Sequence, residues 1–488
     1  MLFGRNRMAL QGELFSQCPK GKSCESGKFY YRREEPDLQD TSERIIETEV
    51  LVLGGGLSGL SAAWALGNDA IVLERDNRPG GLVKTECFSG YWFDHVIHLL
   101  YFADTGTQER ITSLLDGVLH PCPPIAWVEC SAGRVRYPLQ LHLGGLEQEA
   151  VIRCLKDFAQ VTFSPSENAP MNFEEMLLQT FGRSLCETFF FPYNRKMWKR
   201  PLDSLAPSGF QWNIARPDFE RVVQGILSSN TEALAYNAAG WYPRPPRNAE
   251  LRGMEVLTQA LAGQVCDLRL NHTVESIDLD RHLVTARYQG QTRLFYYHET
   301  CVTTLPLPQF VTKCLQAPPT LRRACTNLAR NRVLSAAFCI RGPRPSGQGH
   351  WCYYAEETLL FTRLIFMHEF DPDSAPEEGW GLLVEITEPA ETLPQPPKSV
   401  LERVRADLLR IGAVPDNCQI IEEHLLLIDP AYVVFTTENR SIVEQAHAFL
   451  ADNAVLPVGR YGRWEYSSMA QVMRDGFTLG EQLAARLI

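Results

Sequence analysis

The 488-residue chain has no apolar run long enough to cross a bilayer, and no apolar core of signal-peptide length follows Arg5 and Arg7 near its start. These absences set a cytoplasmic location with no membrane partner as the expectation. Its 14 cysteines show neither a CxxC pair nor a Cys/His cluster with zinc spacing, which leaves no metal site and suits reduced, buried thiols. Cys18 and Cys24 are the one nearby pair, in a stretch rich in Lys, Gly and Ser. Basic charge is not in excess: 47 Lys and Arg against 58 Asp and Glu give a net charge of −11, which argues against nonspecific nucleic-acid binding. No internal repeat, second GxGxxG or hydrolytic triad is evident. What remains is an ordinary soluble composition, 45% hydrophobic and 22% charged, in a chain too long for one core.

What is present centres on Glu49-Val50-Leu51-Val52-Leu53-Gly54-Gly55-Gly56-Leu57-Ser58-Gly59. An apolar, β-branched run enters a glycine turn, and small and apolar residues then recur at helical spacing. Ala70-Ile71-Val72-Leu73 reads as a second buried strand closing on Glu74. This is a βαβ unit with Gly54, Gly56 and Gly59 in the GxGxxG positions. The first glycine permits the turn, the second lets backbone approach a pyrophosphate, and the third lets helix and strand pack closely. Amides at the helix start, at Leu57 and Ser58, meet phosphate charge, and Glu74 can accept from ribose hydroxyls. The competing reading is a structural glycine turn with no ligand. Arg78-Pro79-Gly80-Gly81-Leu82 follows as a turn whose arginine faces either a cofactor or solvent.

Along the chain, residues 1–44 read as an extension outside the core. Residues 45–100, 250–310 and 440–488 read as one discontinuous dinucleotide domain, 101–249 as a mainly helical insertion, and 311–439 as a mixed α/β substrate region. Strands are expected near Leu268–Leu270, Val274–Ile277, Thr300–Pro306, Val333–Ile340, Trp351–Tyr354, Leu359–Met367, Leu382–Thr387 and Val455–Gly459, and a helix over about 470–487. The fold class is thus α/β, a Rossmann-type domain carrying two insertions.

These pieces together resemble the flavoprotein superfamily of amine oxidases, protoporphyrinogen oxidases and UDP-galactopyranose mutases, from about residue 47 onward. The resemblance implies FAD, held by the glycine turn, Glu74 with Arg75, Gly80-Gly81-Leu82, the strand at Val274, and Gly459-Arg460-Tyr461-Gly462 with Tyr466. The mutase branch is the most similar. Arg136-Tyr137-Pro138-Leu139-Gln140 and Phe191-Pro192-Tyr193-Asn194-Arg195-Lys196-Met197-Trp198 resemble its uridine-binding segments, which carries over Tyr137, Gln140, Asn194 and Trp198. Aromatic faces stack on a base while amides read its edge; a core-anchoring role is the plainer alternative. Tyr353, Arg363 and Tyr432 match diphosphate contacts. A buried Arg363 needs an anion, either a substrate phosphate or a structural Asp or Glu. His98 matches the histidine facing the flavin ring.

The sequence also departs from that pattern. Asp94-His95-Val96-Ile97-His98 replaces a glycine loop that moves with flavin redox state in mutases, and branched residues there stiffen it. A phosphate-binding arginine of the family falls on Asn213, with Arg216 close but out of register. The resemblance therefore implies an enzyme acting on a small molecule. In the first reading, reduced flavin N5 attacks the anomeric carbon of a nucleotide sugar, for pyranose/furanose isomerisation or a related reaction. In the alternative, an oxidoreductase takes a hydride from a small metabolite. NAD(P)H or another reductant enters as the electron donor.

Overall fold

A computed structural model describes residues 45–207, 218–227 and 239–487. Two seven-stranded sheets organise them. In the first, Ile45–Leu53 lies parallel between Ala70–Leu73 and Gln291–Thr303, and Asp267–Arg269 extends the parallel set beyond Ala70–Leu73. Val50, Leu51, Val52 and Leu53 are all fully buried, as a parallel strand covered on both faces requires. The 13-residue strand Gln291–Thr303 serves two neighbours. Its first half pairs antiparallel with Leu283–Tyr288, which continues to Thr273–Asp278; its end pairs parallel with Val455–Pro457. Chain segments far apart in sequence therefore build one nucleotide-type sheet. The helices Leu57–Leu66 and Met469–Leu487 cross closely over it through Ser58, Ser61 and Ala62.

The second sheet runs in the order Gln419–Val433, Arg330–Arg341, Gly379–Pro389, Arg363–Phe366, Trp351–Tyr354, Ala126–Cys130 and Gly133–Arg136. The hairpin Ala126–Arg136 differs from the helical reading of residues 101–249: it follows the helix Thr105–Leu114 and completes this sheet. The helices that follow, Gln148–Phe163, Phe173–Phe181, Phe191–Trp198 and Phe219–Leu227, bury Phe158, Phe173, Leu177, Phe181 and Val222 in a core shared with Val128 and Val135 of the hairpin. None of the described helices is long and apolar enough to cross a membrane.

Candidate active site

The glycine turn forms as its residue types require. Gly54 takes φ +106°, a region that side chains avoid, and a Cβ on Gly59 would lie 2.1 Å from the Gly54 carbonyl oxygen. Gly59 therefore serves helix–strand packing and does not line the cavity. Gly56 differs: a Cβ there would meet nothing nearer than Gly81 Cα at 3.9 Å. Space is left between two backbones where a side chain would intrude, at the start of the helix Leu57–Leu66. Gly80 N–H donates to the Gly55 carbonyl at 2.8 Å, which locks the second glycine turn against the first.

Glu74 is buried at the end of its strand and accepts from Gly55 N–H at 2.7 Å and Asp76 N–H at 2.9 Å. It fixes the turn while facing the cavity. Arg75 also faces it, largely exposed and paired with Asp76. Arg78 does neither of the things expected of it: its guanidinium is bound by Glu86 and by Glu255 at 3.0 Å, away from the cavity.

The cavity, about 750 Å³, is of the size of small-molecule sites, roughly 300–1,000 Å³. One end is lined by Gly54, Gly56, Leu57, Ser58, Glu74, Arg75, Gly80, Gly81, Leu82 and Val274, together with Gly459 and Arg460. The other is lined by Tyr137, Gln140, Asn194, Trp198, Tyr353, Arg363 and Tyr432, with His98 also on the wall. Tyr466 stands apart from this set. It supports Arg460 from behind, its ring 4.7 Å from the guanidinium and its hydroxyl donating to the Val433 carbonyl at 2.7 Å. Arg216 lies outside the described residues.

The aromatic end owes its shape to one helical stretch. A π-turn over Cys186–Phe190 leads into Phe191–Trp198, so that Phe189, Phe190, Tyr193, Asn194, Met197 and Trp198 share the face on the cavity. On the opposite face Lys196 Nζ donates to the Tyr354 and Glu356 carbonyls at 2.9 and 2.8 Å, tying the helix to the second sheet. Burial pulls the Lys196 ammonium down to about 7. Asn194 is partly committed within its own helix: its Nδ2 donates to the Phe190 carbonyl at 2.7 Å and its Oδ1 accepts from Trp198 Nε1 at 3.1 Å.

Tyr353, Arg363 and Glu385 stand opposite one another on three adjacent antiparallel strands. The Arg363 fork grips Glu385, with Nε to Oε2 at 3.0 Å, while Tyr432 donates to Oε1 at 2.7 Å. The Tyr353 ring lies 5.5 Å from the guanidinium. Glu385 is the structural carboxylate expected as one of the two anions for Arg363. Burial holds the phenols of Tyr193 and Tyr432 well above their usual range, so both stay neutral. Glu385 escaped the sequence reading, although a lone acid in Leu382-Leu383-Val384-Glu385-Ile386 mirrors the lone arginine of the next strand. Tyr193 and Trp351, also on the wall, were likewise not singled out.

Three polar atoms of residues on this wall are buried with no partner: His98 Nδ1, Trp351 Nε1 and Arg460 Nε. Arg460 Nη2 donates to the Ala431 carbonyl at 3.1 Å, so Nε is a spare donor between the two ends. Burial, reinforced by His95, Arg460 and Arg363, pushes His98 down to about 3. The glycine gap, the carboxylate of Glu74 and the spare Arg460 donor fit a dinucleotide, with Gly56, Gly81 and Arg460 as the residues that would hold its pyrophosphate.

The family of NAD(P)-binding Rossmann-like domains matches residues 52–118. The inactive all-trans-retinol 13,14-reductase of Danio rerio is 36% identical over 101 residues, which cover 19% of this chain and only 15% of that relative's length. Reduced UDP-galactopyranose mutase superposes with a TM-score of 0.81 at 20% identity, covering 90% of this chain and 93% of its own. A putative protoporphyrinogen oxidase from Exiguobacterium sp. 255-15 gives 0.65 at 13% identity over 91% and 100% of the chains. Putrescine oxidase gives 0.58 at 14% over 91% and 100%. The chain thus matches the family of NAD(P)-binding Rossmann-like domains over residues 52–118 and has the fold shared by UDP-galactopyranose mutase, protoporphyrinogen oxidase and putrescine oxidase.

Proposed function

We propose that the protein is an FAD-dependent enzyme that acts on a nucleotide sugar in the manner of UDP-galactopyranose mutase. The observation that carries this reading is the continuity of one cavity from the glycine turns to the Tyr137, Trp198 and Arg363 end. Gly56, Gly81 and Arg460 hold the pyrophosphate of FAD, Glu74 its ribose and Val274 its adenine. Bound FAD supplies a nucleophilic ring nitrogen when reduced and a hydride acceptor when oxidised. The protein's own work is positioning and electrostatics. Tyr137 and Trp198 cover the base, and Gln140 and Asn194 read its edge. Arg363, Tyr353 and Tyr432 hold the diphosphate and meet the charge that grows as it departs. His98, kept neutral, offers a hydrogen bond to the substrate without adding charge. Aromatic walls exclude water from the reacting centre.

Two assays test this. UDP should quench tryptophan fluorescence, and Trp198→Phe and Arg363→Met should each abolish the effect. FAD-loaded, dithionite-reduced protein should interconvert pyranose and furanose forms of a UDP-sugar, read by chromatography; no conversion across a sugar panel sinks the mutase reading. A second reading, hydride removal from a neutral metabolite, is favoured by Glu385, which already balances the Arg363 charge. Bleaching of oxidised FAD by substrate without added reductant would support it.

A further inference from the structure

The loop Asp94–His98, where the chain leaves the glycine pattern, is fixed on both sides. Val96 packs with Val333, Ile428 and Ala431, and Ile97 against the core of the nucleotide sheet. The Ser335 hydroxyl donates to the His95 carbonyl at 2.6 Å, and His95 N–H donates to the Lys84 carbonyl at 3.0 Å. The rigid loop sets two histidines on the cavity wall with opposite characters. His98 is buried among positive groups and stays neutral, so it can share a hydrogen bond but cannot carry charge.

His95 is in contact with a carboxylate. Its Nε2 lies 2.9 Å from Glu86 Oε1, and Glu86 is gripped in turn by Arg78. The hydrogen bond from His95, with Arg78 alongside, holds the Glu86 carboxyl below its usual range. An ionised carboxylate only accepts, so Nε2 bears the proton and Nδ1 is the basic nitrogen of the neutral ring. The charged and titratable groups that face His95 are Glu86 and Arg78, with Asp94 and His98 from its own loop; Ser335 from the second sheet is neutral. Side-chain exposure of 19% for His95 and 29% for Glu86 makes the pair a bridge from the cavity to water.

We propose that His95, oriented by Glu86 and Arg78, carries protons between the cavity and solvent, a role that rests on the FAD reading of the same site. A substrate hydroxyl gives its proton to His95 Nδ1 as its O–H bond breaks. The imidazolium is balanced by Glu86 and returns the proton to the substrate or loses it to water beside Glu86. Both sugar ring opening and alcohol oxidation need this transfer, so the role does not depend on which reaction the enzyme performs. Glu86 and Arg78 are positioning residues.

The test uses the full chain loaded with FAD and follows the flavin's midpoint potential across pH. Reduction adds negative charge beside a proton carrier, so the plot should bend. His95→Gln, whose amide can still donate to Glu86, should remove the bend. Glu86→Gln should move it, and His98→Asn should leave it in place. Protein that takes up no FAD overturns the cofactor reading. FAD-loaded protein with no bend, or with the same bend in His95→Gln, overturns the proton-carrier role and leaves the cofactor reading standing.

Discussion

Glu385→Gln separates the charge of the Arg363 site from its shape. The wild-type pair is buried, with side-chain exposure of 11% for Arg363 and 2% for Glu385. Glutamine keeps an acceptor for the Tyr432 hydroxyl but removes the negative charge, and so strands a cation in a dry site. Breaking a buried pair in this way costs about 3–5 kcal/mol, whereas replacing both partners by apolar residues is close to neutral. Urea unfolding should therefore show a loss of that size for Glu385→Gln and recovery of most of it in Arg363→Met/Glu385→Met. Ligand binding should move the other way. Two unit charges at 4 Å interact by about 4 kcal/mol at an effective dielectric of about 20. Freeing Arg363 should tighten UDP binding by at least about tenfold, or about 1.4 kcal/mol, in titration calorimetry. Stability equal to wild type would refute the buried pair. Unchanged UDP affinity with the expected stability loss would refute Arg363 as a diphosphate contact.

Gly56→Ala should fold with little loss, since its Cβ meets nothing within 3.9 Å, yet should lose FAD, read as flavin absorbance after gel filtration. Gly59→Ala, whose Cβ would sit 2.1 Å from a carbonyl oxygen, should instead lower the melting temperature and the soluble yield. Burial raises Asp94 from 3.8 to about 6 against three donors, the hydroxyls of Thr85 and Tyr242 and the Met254 N–H. A raised acid contributes stability at low pH that is lost as pH climbs through about 6, about 3 kcal/mol at 1.36 kcal/mol per unit. His98 runs oppositely: lowered from 6.5 to about 3, its contribution is present above pH 6.5 and is lost on acidification, up to about 5 kcal/mol. The two slopes oppose each other between about pH 4 and 6 in the wild type. Asp94→Asn should therefore steepen acid unfolding, and His98→Asn should make the FAD-free protein gain stability as pH falls from 6 to 4; identical pH profiles would refute both assignments.

What the sequence reveals depends on how local the determinant is. The glycine turn, its strand and its helix are local, and they stand where Gly54, Gly59 and Glu74 imply. Trp351–Tyr354 forms over the expected residues because aromatics in an apolar run suit a pleated, half-buried surface. Leu359–Met367 shortens to Arg363–Phe366, with Leu360 N–H taken by the Asp407 carboxylate before it and Met367 starting the helical turn Met367–Phe370 after it. The strand Gln419–Val433 was not anticipated. It is an edge strand with Glu422, Glu423 and His424 partly exposed and Leu427 outward, so no clean alternation marks it. The partnership of Arg363 with Glu385 is non-local: strand register creates it, and no spacing within either segment announces it.

That non-local pair also separates the two ends of the cavity in how they are built. A dinucleotide site is made largely of backbone, so glycines and one acid announce it. The far end of the cavity is made of side chains from four strands and a helix, and its charge depends on which of them meet. Arg363 alone would attract a diphosphate; Arg363 held by Glu385 does so only if the substrate competes for the fork or shares it. Tyr432, hydrogen-bonded to Glu385 and beside Arg460, couples this balance to the glycine-turn end. A substrate phosphate that drew Arg363 away would leave Glu385 buried with the Tyr432 hydroxyl as its donor, at the cost of a broken buried pair. Calorimetry should then show weaker UDP binding in the wild type than in Glu385→Gln; equal affinities would mean that the pair stays closed and that the ligand's charge is met elsewhere.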